Sequence, residues 1–140
     1  MTPMPPRSEA GSVTVETVLV VPIIVVLLCF VVFGGPIVGA KNQVEGAAQD
    51  AARAASLRQD PGTAQAAATQ TADASLASAG LACSSRDISV NTTSFDPGGV
   101  VVVRVRCVAR LSDLTLLGVP GSLTFTATAT EVIDTYRSQP

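Results

Sequence analysis

Hydrophobic and polar positions divide the chain into three stretches with different periods. From Thr17 to Ala40, TVLVVPIIVVLLCFVVFGGPIVGA, there is no charged side chain. About 20 apolar residues are enough to cross a bilayer as a helix. In hydrocarbon a helix is the one-segment way to pair every backbone N–H and C=O. That requirement outweighs the mediocre helix preference of Val and Ile in water. Pro22 removes one ladder bond, and Gly34-Gly35-Pro36 is expected to loosen or kink the far end. Cys29, mid-span, reads as a small apolar filler. A transmembrane helix is expected over residues 12–40.

After Ala40 the spacing becomes amphipathic. Val44, Ala48, Ala51 and Ala55 fall on one stripe, with Glu45, Asp50 and Arg53 mostly off it. The helix is expected to leave the membrane and run on to about Arg58. Its Ala stripe permits close approach of another helix, or packing on its own domain. Asp60-Pro61 reads as an N-cap followed by Pro at the first helical position. A second Ala-rich helix, about Gly62 to Ala79, should stop at Gly80. Its small side chains suggest a frayed surface helix.

From Asp87 the period changes to two. DISVNTTSF is a first strand, Asp96-Pro97-Gly98-Gly99 a turn, and VVVVRVRCVARL a second strand. In the second strand Val101, Val103, Val105, Cys107 and Ala109 face one way and Arg104, Arg106 and Arg110 the other. Leu114 to Gly121 reads as a loop. SLTFTATATEVI is a third strand, with Leu123, Phe125, Ala127 and Ala129 on its apolar face and alternating Thr on its wet face. The expected fold class is α+β. A long N-terminal transmembrane helix continues into an extracytoplasmic domain (41–140) with helices over 41–80. A small antiparallel three-stranded sheet follows over 87–134.

Composition narrows the function. A chain of 140 residues leaves room for one small domain beyond a membrane segment. It is 47% hydrophobic but 4% aromatic, so its core must be built mostly from Ala and Val. A net charge of −2 argues against nucleic acid as a partner. The absence of histidine removes Ser-His-Asp and Cys-His catalysis and the commonest transition-metal ligand. Cys29, Cys83 and Cys107 form no CxxC, which argues against zinc. No glycine-rich phosphate-binding motif is present. No catalytic, cofactor-binding or metal-ligating residue is assigned, and neither an enzyme nor a small-molecule substrate is expected. The aspartates read as caps and turn residues. The arginines of the second strand read as a solvated face, with an acidic partner as the alternative.

One acid stands out against this background. Glu16 lies at the lip of the apolar run, five residues after Gly11. A carboxylate in the bilayer costs roughly 2.5–3.5 kcal/mol on insertion scales. A cationic amino terminus on a neighbouring helix would offset much of that and fix the axial register. The bland alternative is a flanking charge at the water interface. Cleavage after Gly11 would place the new amino terminus on Ser12 and make Glu16 the fifth residue. This arrangement resembles the processing site of type IV pilins, in which a membrane prepilin peptidase cuts after the glycine.

The wider stretch GSVTVETVLVVPIIVVLLCFVVFGGPIVGAKNQVEGAAQDAARAAS resembles the TadE-like family of Tad/Flp pilus systems. Val15-Glu16, the early Pro22 and the Ala-rich run Ala47–Ser56 carry the resemblance. It implies a minor pilin or pseudopilin with a leader peptide at 1–11, Gly11 and Ser12 as processing residues, and Glu16 as an assembly residue. The implied partners are a prepilin peptidase, the Tad pilus platform, the major Flp pilin and membrane lipid. The chain would be a single-pass protein of the cell membrane, also incorporated in pili. Arg7 and the amino terminus lie before the run, offset by Glu9, and Lys41 follows it; by the positive-inside rule the short amino-terminal side is placed in the cytoplasm, so the longer Cys-containing part lies outside. Cys83 and Cys107 then form an even pair outside the membrane, which suggests a disulfide adding roughly 3–4 kcal/mol; two reduced thiols are the alternative. Two other functions stay open. One is a secreted binding module released by signal peptidase after Val38-Gly39-Ala40, and the other is a plain membrane-anchored envelope protein.

Overall fold

The computed structural model describes residues 10–115 and 118–136, with side chains from Thr14 onward. Residues 1–9 of the expected leader lie outside the described residues. The chain divides into two compact units, one ending at Gly35 and one beginning at Pro36. A single helix, α1 (Ala10–Ser56), supplies the described part of the first unit and the start of the second. Its backbone stays helical through Pro22 and through Gly34-Gly35-Pro36.

In the first unit, every large apolar side chain from Val15 to Phe33 is exposed. This stretch is long and apolar enough to cross a membrane, and none of its most apolar window is buried. Such a surface is unstable against water and matched to lipid.

The second unit has a core of its own. α1 contributes Ala40, Val44, Ala47, Ala48, Ala51, Ala52 and Ala55, all buried. These include the four stripe positions read from the sequence. The helix α2 (Pro61–Ser78) follows a short turn. Asp60 caps it: its Oδ1 accepts from the Thr63 N–H at 2.9 Å, and Pro61 occupies the first turn, where no N–H donor is missed. At the other end Gly80 adopts φ +71°. The Leu81 N–H donates to the Leu76 carbonyl at 3.2 Å and the Gly80 N–H to Ala77 at 3.1 Å, a Schellman closure.

α2 corrects the expectation of a frayed surface helix. Ala64, Ala67, Ala68, Ala72 and Leu76 are buried along one face. Small side chains limit the area each residue buries, but they let helix backbones come close. The Ser75 hydroxyl donates to Asp50 Oδ2 of α1 at 3.0 Å.

The sheet has the order β1-β2-β3 and is antiparallel throughout: β1 (Cys83–Ser94), β2 (Val100–Arg110) and β3 (Ser122–Val132). β1 begins at Cys83 rather than at Asp87. Cys-Ser-Ser-Arg has no apolar alternation to mark it as a strand, and it is held instead by pairing: Cys83 lies opposite Ala109 and Arg86 opposite Cys107. On β2, Val101, Val103, Val105, Cys107 and Ala109 are fully buried, and Arg104, Arg106 and Arg110 face solvent. On β3, Phe125 and Ala127 are buried, Leu123 and Ala129 half-buried, and the alternating threonines exposed. The helices therefore cover one sheet face and leave the other to water.

The β1–β2 turn requires its glycines. Gly98 has φ +81°, and a Cβ on Gly99 would lie 2.0 Å from the Ser94 carbonyl oxygen. A four-residue helix, α3 (Leu111–Leu114), follows β2 where a loop or strand end was expected. Leu116 and Leu117 of the expected loop lie outside the described residues.

Candidate functional site

The candidate assembly residues sit on α1. Gly11 and Ser12 fall in its first turn. Glu16 is exposed one turn further along, and among the described residues no cation pairs with it. Thr17, Val20, Val21 and Ile24 continue the face on which it stands. The acid thus heads an apolar stripe at helical spacing. Removal of residues up to Gly11 would start the helix at Ser12 and bring Glu16 close to a free amino end. There the unpaired N–H groups and the helix dipole favour negative charge. Cys29 is exposed on the same apolar stretch and is a free thiol.

Cys83 and Cys107 are joined by a disulfide with Cα atoms 5.4 Å apart. It ties the first residue of β1 to the buried face of β2. Cys107 is fully buried and Cys83 half-buried. A shift in strand register between Cys83 and Ser85 accompanies the crosslink.

The arginines of β2 are spread over the open sheet face. Arg104 Nε donates to Thr128 Oγ1 at 3.4 Å, and Arg110 lies 3.5 Å from Asp113. Arg106 stands in a row between Asp87 and Thr126. Three further charged or polar groups bear on the domain: Arg86 and Gln49, which the sequence does not single out, and Glu45, which it places only off the apolar stripe. Arg86 turns inward toward α2, its Nε 3.2 Å from Asp73 Oδ1, a buried oxygen for which this charge is the partner. Glu45 and Gln49 of α1 border a notch against Thr126, Ala127 and Thr128 of β3. Helical spacing places Glu45 and Gln49 off the buried stripe, but nothing in the sequence says which strand they meet.

No curated protein and no solved structure matches the chain significantly. Residues 11–53, which take in Gly11, Glu16, the exposed apolar stretch and most of the Ala-rich part of α1, match the model of the TadE-like protein family, the family that the sequence resembles.

Proposed function

We propose that the chain is a minor pilin-like structural component of a Tad/Flp pilus. It is anchored by α1 and assembled through that helix after cleavage between Gly11 and Ser12. One observation carries this reading: within the family match, a single helix joins a fully exposed apolar stretch headed by Glu16 to a stripe packed in a folded domain. The prepilin peptidase supplies the cut. The apolar stretch lies in the cell membrane, the amino terminus on the cytoplasmic side and the disulfide-bonded domain outside. Glu16 then pairs with the free amino terminus of an adjacent pilin helix, in the platform or among major Flp pilins. In hydrocarbon such a pair offsets a charge cost that a lone carboxylate would bear. The role is one of position and needs no bound substrate.

Release after Ala40 is less well supported. Ala40 is 2% exposed, within the domain core, and Ile37 packs against that core. A cut there would sever a helix that the domain uses.

The intact mass of membrane-extracted protein tests the reading. Loss of residues 1–11 is expected; loss of 1–40 or an uncut chain overturns it. Glu16→Ala should insert in the membrane at wild-type level and fail to enter pili. Normal pilus incorporation of that variant counts against the assigned role of Glu16.

A further inference from the structure

At the boundary between the two units, α1 has the composition least suited to a helix. The boundary falls between Gly35 and Pro36, well inside the span Ala10–Ser56. Pro36 has no N–H to give, so the Val32 carbonyl loses its ladder bond, and the proline ring crowds that carbonyl. Gly34 and Gly35 precede it and Gly39 follows. A structure needs glycine where φ is positive or where another group comes too close for a Cβ. Neither reason applies here. Among the described residues, positive φ at glycine is confined to Gly80, Gly98, Gly118 and Gly121. Leaving aside the helix's own backbone, a Cβ added at Gly34, Gly35 or Gly39 would meet nothing within 4 Å. What the glycines supply is conformational freedom, next to the residue that most disfavours a helix interior.

Packing does not offset this weakness. On one side, the large apolar side chains from Val15 to Phe33 are exposed. On the other, contact with the domain core begins at Ile37, and Ala40 is buried. Residues 34–36 lie between the stretch that lipid would hold and the stretch that the core holds. Their backbone is helical, so the segment stands on its own ladder, short of one bond. Sharp bends in helices concentrate at proline and at pairs of small residues.

We propose that residues 34–36 form a hinge in α1, at which the apolar stretch and the folded domain change direction independently. The anchor then follows the lipid, and the domain follows whatever it meets in water. Ile37 and Ala40 confine the bending to the near side of the core, so the domain turns without being pulled open. The hinge needs the apolar stretch to be held in a bilayer, as read above, but not the pilus assignment.

Distances between spin labels in the full chain, reconstituted in vesicles and diluted with label-free protein, test it. Cys29 is a free, exposed thiol in the first unit, and Gln65→Cys adds an exposed one in the second. A reference pair, Gln65→Cys with Ser89→Cys in a Cys29→Ser background, lies wholly within the second unit. The distribution across the boundary should be about twice as broad as that of the reference. The triple variant Gly34→Ala, Gly35→Ala, Pro36→Ala should narrow it to the reference width. Its alanines enter open space and favour the helix, so folding is not at risk. Gly39→Ala, on the domain side of the boundary, should leave it broad. A boundary distribution as narrow as the reference overturns the hinge, and so does a triple variant that stays broad. Equal narrowing by Gly39→Ala would move the flexible point into the second unit and also overturns it. Gly35 and Gly39 have a spacing that admits a second helix; a distribution that is narrow until the chains are diluted would assign them to that contact instead. Flotation of the vesicles reports on the membrane reading separately.

Discussion

At the scale of the residue, Cys83 and Cys107 show how one bond does two jobs. The crosslink limits the unfolded chain, and the Cys107 sulfur fills a fully buried position on the central strand. The two serine variants should therefore differ. Cys83→Ser, at a half-buried site, is expected to cost about 3–4 kcal/mol, the value for closing a loop of this size. Cys107→Ser also leaves a hydroxyl in an apolar site and should cost about 1–3 kcal/mol more. Urea unfolding in oxidising buffer checks the order; equal losses would show that burial of Cys107 adds nothing. Cys107 was legible as an inward residue because Val alternates with Arg around it. The Cys83 strand position was not, because Ser84, Ser85 and Arg86 carry no alternation and take their geometry from the partner strand.

At the scale of the element, α1 and α2 show the limits of reading burial from side-chain size. The caps of α2 were legible because Asp60-Pro61 and Gly80 each have a local reason to sit where they do. Its burial was not, since an Ala-rich helix shows little contrast between faces: Ala66 is exposed and Ala68 wholly buried. This gives a sharp contrast between neighbours. Ala68→Leu should overpack the core and cost about 1–3 kcal/mol, whereas Ala66→Leu should stay within about 0.5 kcal/mol. Thermal melting of the two variants decides it, and equal midpoints would mean that α2 is loosely held. The strands were the easier elements, since β-branched residues at period two leave one choice of inward face. α3 had no such signal: four residues at the end of a strand make too short a period to detect.

At the scale of the whole molecule, the membrane boundary read from charge and the structural boundary do not coincide. The first charge after the apolar run is Lys41, but the compact second unit begins at Pro36. The difference lies in what ends an apolar run. Charge marks where water begins, whereas packing depends on which apolar side chains find a core, and Ile37 and Ala40 find one. Every buried hydrophobic residue among those described lies at or after Ala40, so the second unit holds its core without the exposed stretch. A chain of residues 36–140, oxidised, should then fold and stay in solution. A chain of residues 41–140 loses Ile37, Ala40 and the start of the helix beneath them. At about 25 cal/mol per Å² of apolar surface it should be less stable by roughly 1–2 kcal/mol. Urea midpoints of the two fragments measure the difference. Equal stability would place the domain boundary at Lys41 and remove the main structural objection to release after Ala40.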